Sequence, residues 1–151
     1  MSHSSCLCSS VFACPVYPCL YLLISAPLFC HVISGHLDVL QYLVSEADGD
    51  LKIRAKDGMA PIHAAAQMGC LHCLRWMVED QGADINCRDG DKATPLHFAA
   101  SRGHVSTVKW LLKNGAKISR DSCGKTPIDD AQENNQMEVK SSDAYISRCQ
   151  V

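Results

Sequence analysis

Cysteine and histidine are the side chains most able to do chemistry here, and Cys70-Leu71-His72-Cys73 brings three of them together. Two thiols at this spacing match half of a structural zinc site, but a closed site takes four ligands and no second pair stands at a fitting distance. These residues open a helical pattern, so they are expected to pack, with no bound metal. Gly124-Lys125-Thr126 has the closing letters of a phosphate-binding loop, yet Ser119 stands where GxxxxGK[ST] needs its first glycine. No nucleotide site is expected. Nor does any carboxylate pair, nucleophile elbow or Cys/His arrangement have independent support. The chain therefore reads as non-enzymatic, with no cofactor and no small-molecule substrate.

Composition narrows the classes further. With 14 basic against 16 acidic side chains in 151 residues, a formal charge of −2, the chain lacks the basic excess of a nucleic-acid binder. Its mean hydropathy is −0.03, and its length suits one domain with a real core. The charge is unevenly spread, because residues 1–50 contain no Lys or Arg. Residues 11–33 carry no charge at all and are long enough to cross a bilayer. Against a span or a signal peptide stand Pro15, Pro18, Pro27 and the missing basic flank. We read residues 1–25 as an irregular hydrophobic leader rich in cysteine, and a membrane partner is not expected.

The elements that position these side chains come from a repeat. Ala60-Pro61-Ile62-His63-Ala64-Ala65-Ala66-Gln67-Met68-Gly69 returns as Thr94-Pro95-Leu96-His97-Phe98-Ala99-Ala100-Ser101-Arg102-Gly103. Thr126-Pro127-Ile128-Asp129-Asp130-Ala131-Gln132 and Ala26-Pro27-Leu28-Phe29 fall in the same phase, which makes four units starting near Pro27, Pro61, Pro95 and Pro127. Pro suits a first helical turn, where an amide donor is not needed, and paired alanines let two helices approach closely. Gly69 and Gly103 stand where a helix end wants positive φ. Second helices are predicted over Leu71–Val78 and Val105–Leu112 from the spacing of their apolar residues, and extended loops are expected from Gly82 and Gly115 onward. In the first unit His31 and Val32 take the paired small positions, so poor docking of that helix is expected. The last unit carries Asp129 in place of His and Gln132 in place of Ala, and residues 140–151 read as a tail.

These words resemble the ankyrin repeat, with its TPLHxA signature and a period near 33. The resemblance implies an all-α fold over residues 26–139, a solenoid of stacked helix-turn-helix units with extended β-hairpin-like loops. It also implies that the rings of His63 and His97 hydrogen-bond to the neighbouring loop. A narrower likeness lies in the second helices, where Tyr42, Trp76 and Trp110 put an aromatic at one place three times. With Asp57-Gly58-Met59, Ala64-Ala65-Ala66-Gln67-Met68-Gly69 and His97-Phe98-Ala99-Ala100-Ser101-Arg102-Gly103-His104, they resemble the ankyrin array of the espin and forked family of actin-bundling proteins. The three rings themselves are expected to pack between adjacent helix pairs.

Stacked repeats align their loop tips and the exposed side of each first helix into a groove. Here that groove would carry Lys56, Met59, Gln67, Met68, Arg88, Asp91, Lys92, Ser101, Arg102, Ser122, Lys125 and Glu133 as partner-binding residues. Its basic excess suits an acidic or mixed amphipathic peptide, with Met68 giving adaptable apolar contact. The espin-type resemblance implies a cytoskeletal protein partner, the tail of a class III myosin, an indirect link to actin, and a cytoplasmic place in actin-rich protrusions. The family's proline-rich basic actin-binding part has no counterpart here, so this chain is not expected to bundle filaments alone. Two other readings stay open: a generic cytoplasmic ankyrin adaptor, and a membrane-anchored array held by residues 11–33.

Overall fold

Prolines set the rhythm of the helices in the computed structural model, which describes residues 31–46, 50–136 and 138. In chain order these helices are α1 (Leu37–Ser45), α2 (Pro61–Met68), α3 (Leu71–Glu79), α4 (Pro95–Ser101), α5 (Val105–Lys113) and α6 (Pro127–Glu133). Pro61, Pro95 and Pro127 each occupy the first turn, after an extended N-cap residue. Helices of seven to nine residues are too short to persist alone in water, so burial must hold them. Ala64, Ala65, Ala66, Ala99, Ala100 and Ala131 are fully buried, and their small side chains let α2 lie on α4 and α4 on α6. Leu40, Leu74, Met77, Val108 and Leu111 of the second helices close the core from the other side. The second helices α3 and α5 each run one residue beyond the span expected from sequence.

Gly69 shows why the unit needs its glycine. Its φ is +68°, and a Cβ there would stand 2.6 Å from the His104 ring, whose Nε2 meets the Gln67 carbonyl at 2.9 Å. Chain reversal and close approach of the next unit both exclude a side chain.

Two expectations for the first unit are corrected. Val32 does not obstruct docking: residues 31–34 are helical and Val32 is fully buried in one cluster with Ala64, Ala65 and Ala66. The single methyls of the next unit leave room for its bulk. Tyr42, by contrast, does not pack between helix pairs; it is 63% exposed, whereas Trp76 at the equivalent place is 9% exposed and Trp110 is half-buried. Trp76 lies on α3, which has α1 beside it, and no described element covers the outer side of α1. The leader, the start of the first unit at Pro27, the cysteines before residue 31 and the tail lie outside the described residues.

Between helix pairs the chain forms hairpin-like tips, without a strand among the described residues. Each tip closes on a pair of backbone bonds: Ala55 N–H to Met59 O with Gly58 N–H to Ala55 O, Asp89 N–H to Ala93 O with Lys92 N–H to Asp89 O, and Asp121 N–H to Lys125 O with Gly124 N–H to Asp121 O. Neighbouring tips are tied to one another as well. Gly90 N–H donates to Asp57 O and Ser122 N–H to Asp91 O, both at 2.8 Å. Gly58 and Gly90 touch backbone to backbone at this point, since a Cβ on Gly58 would stand 2.5 Å from Gly90 N.

Candidate functional site

The tip-and-helix face is built on buried polar links. His63 and His97 each stand three residues after an N-cap, and Nδ1 of each accepts from the N-cap amide, Ala60 N–H at 3.0 Å and Thr94 N–H at 3.1 Å. With Nδ1 accepting, the ring proton sits on Nε2. Nε2 of His63 thus donates to Cys87 O at 3.0 Å, and Nε2 of His97 to Lys125 O at 3.3 Å. One neutral ring therefore caps its own helix and holds the next loop, as the resemblance implied. Burial pushes His63 below the ordinary histidine value, against the smaller opposing pull of its bond to Cys87. Phe98 lies edge-on to the His63 ring, with centroids 5.5 Å apart.

Asp129 does half of this work. Its Oδ2 accepts from Thr126 N–H and Oγ1, each at 2.8 Å, and these bonds, chiefly the backbone one, lower its pKa. Thr126 Oγ1 accepts in turn from Asp129 N–H. A carboxylate caps as well as an imidazole does, but its oxygens can only accept, so it cannot donate onward to a loop carbonyl.

Further links that sequence reasoning missed fix the tips. Asp57, Asp89 and Asp121 turn their carboxylates onto backbone amides of their own tips: Met59; Asp91 and Ala93; and Cys123 and Lys125. Arg54 donates to Gly58 O and across to Arg88 O, and Arg120 donates to Gly124 O. Asn86 spans to the next unit, giving to Gly115 O and taking from Lys117 N–H. Asp and Asn two residues ahead of a turn amide were the available signal.

The twelve residues expected on the groove fall into three groups. Lys56, Arg88, Asp91, Lys92 and Ser122 are exposed on the tips, and Lys125 is half-buried there. Met68 and Arg102 are exposed at the ends of α2 and α4, with Gln67 and Ser101 half-buried beside them and Glu133 exposed at the end of α6. Lys125 Nζ meets Glu133 Oε2 at 2.7 Å, which places tip and helix end on one side; the Glu133 carboxylate holds that ammonium above its usual value. Met59 is the correction. At 3% exposure it belongs to the core and offers no side chain to a partner. Lys92 has φ +61°, where the equivalent Gly58 and Gly124 have +78° and +81°. An exposed side chain is thus held in a left-handed conformation on the middle tip.

Elsewhere the chemistry is quiet. Among the described residues no group of three or more His, Cys, Asp or Glu could hold a metal. Cys70, Cys73, Cys87 and Cys123 are free thiols, and burial pushes Cys73 up to about 11, with Cys70 beside it adding to the rise. A cleft of about 420 Å³ lies between the first unit and the loop after α3, bordered by Val44, Leu51, Arg54, Ala83 and Cys87. No helix among the described residues is long and apolar enough to cross a membrane.

Residues 62–112, from the first turn of α2 to the last turn of α5, match the family described as ankyrin repeats (many copies). The stack is an ankyrin-repeat solenoid. No curated protein matches the chain. Ankyrin repeats indicate a protein–protein interaction module.

Proposed function

We propose that this ankyrin array is a non-enzymatic interaction module of the actin cytoskeleton, which holds an acidic or mixed amphipathic tail segment of the class III myosin type. The observation that carries this reading is the register of the tips. Bonds from Gly90 to Asp57 and from Ser122 to Asp91 tie each tip to the next, and Lys56, Arg88 and Lys92 are exposed on those tips as Met68 and Arg102 are at the helix ends. Exposed cations on tied tips together with an exposed methionine suit a partner that alternates carboxylates with apolar side chains. Support for the espin-type partner comes from the sequence words around Asp57, Ala64 and His97, and the proposed setting is the cytoplasm of actin-rich protrusions.

The test is a fluorescence-anisotropy titration of a labelled class III myosin tail peptide with the full chain. Arg102→Glu should weaken saturable binding roughly tenfold at low salt, and by less as ionic strength screens these cations. Equal affinity for both proteins, or no binding by a chain whose circular dichroism is helical, would overturn the proposal.

A further inference from the structure

Repeat symmetry singles out a second surface, at the opposite end of the stack from α6. In the second helices, Val39 and Tyr42 of α1 correspond to Cys73 and Trp76 of α3 and to Thr107 and Trp110 of α5. Cys73, Trp76 and Thr107 are buried, and Trp110 is half-buried. Val39 is 37% exposed and Tyr42 63%. The same helical stripe that is an interface inside the array thus stands open on α1. Its chemistry is also distinct. Asp38 and Glu46 lie one turn to either side of Tyr42 on the same face, and both are exposed. The corresponding stripes read His72-Trp76-Asp80 and Ser106-Trp110-Asn114. Only α1 sets its aromatic between two acids, and neither it nor any residue before it carries a Lys or Arg.

We propose that this stripe is a docking site for a basic amphipathic helix of a partner protein, which lies on α1 as α1 lies on α3. The packing of α1 on α3 supplies the template for a helix in that place. Charge selects the partner: Lys or Arg flanking the apolar residues would meet Asp38 and Glu46, and a guanidinium could lie over the Tyr42 ring. A second copy of this chain is disfavoured by the same acids, since pairing α1 with α1 would set like charges together.

The probe is a labelled helical peptide with Leu at i, i+3 and i+4 spacing and Lys elsewhere, titrated into the full chain by anisotropy, with a Glu-for-Lys counterpart. The Lys peptide should bind saturably and the Glu peptide should not. Tyr42→Ser should weaken binding at least fivefold, as should Asp38→Lys with Glu46→Lys, while Arg102→Glu on the other face should not weaken it. All these positions are exposed, so an unchanged helical spectrum is expected for each variant. Unchanged affinity in both α1 variants would overturn the proposal. So would self-association by sedimentation that Tyr42→Ser abolishes, which would assign the stripe to a second copy. A chain that binds no peptide and whose Tyr42 resists nitration would assign it to the chain's own first 30 residues, and the proposal would fail there too.

Discussion

His63→Ala tests how the units are joined. The ring is fully buried, caps α2 through Ala60 N–H and holds the next loop through Cys87 O. Removing it leaves a buried amide without an acceptor, at about 1–3 kcal/mol, and deletes a second bond of about 0.5–1.5 kcal/mol. The edge-on contact with Phe98 adds about 0.5–1.5 kcal/mol, and an unfilled space remains. Water reaching the half-buried Cys87 offsets part of this, so the expected loss is about 3–5 kcal/mol, a large share of the stability of so short an array. Urea unfolding followed by circular dichroism and by the fluorescence of Trp76 and Trp110 measures it, with His63→Gln, which can replace one of the two bonds, falling between. Acid supplies an independent check. Folding lowers the pKa of His63, so its contribution is complete above the ordinary value near 6.5 and is lost as pH falls below it. The loss reaches at most about 1.4 kcal/mol per pH unit, down to the folded-state value. His63→Ala should flatten that dependence, leaving the same-signed contribution of His31, whose pKa burial also lowers. A loss under about 1 kcal/mol, or an unchanged pH slope, would refute the argument that this ring joins two units.

Three other outcomes can be checked directly. Gly90→Ala should cost about 1–2 kcal/mol in urea unfolding despite its exposed position, because the new Cβ would meet Asp57 O at 2.5 Å and break the tie between tips. Lys92→Gly should raise stability by roughly 0.5–1 kcal/mol by relieving a left-handed side-chain position, while weakening the binding of an acidic peptide. Among the four described thiols, alkylation at pH 8 read by mass spectrometry should label exposed Cys123 first and spare Cys73 until urea unfolds the chain, since Cys73 is buried and pushed up to about 11.

The features legible in the sequence were those that repeat with a fixed residue type. Pro61, Pro95 and Pro127 gave the phase, the alanines gave the contact between first helices, and Gly69 marked a helix end. The bonds between units were less legible, because most join a side chain to a backbone carbonyl or amide, and every residue has a carbonyl to offer. Nothing in the letters around Cys87 or Gly115 says that His63 or Asn86 will find them. Met59 misled for another reason: in repeat register it stands where Lys125 stands, yet the middle tip lies against the first, and the residue is covered. Tyr42 shows the converse. A residue type that is core in one unit becomes surface where no described element packs on it.

Among the described residues, the side-chain bonds between units link neighbours in the stack, as from Arg54 to Arg88, His63 to Cys87, Asn86 to Gly115, His97 to Lys125 and His104 to Gln67. Such a molecule has a mechanical character. Among the described residues no side-chain bond skips a unit, so tension across them should peel the stack one unit at a time, and each freed unit would lengthen the tether in a discrete step. An array built in this way behaves as an extension spring that gives way unit by unit.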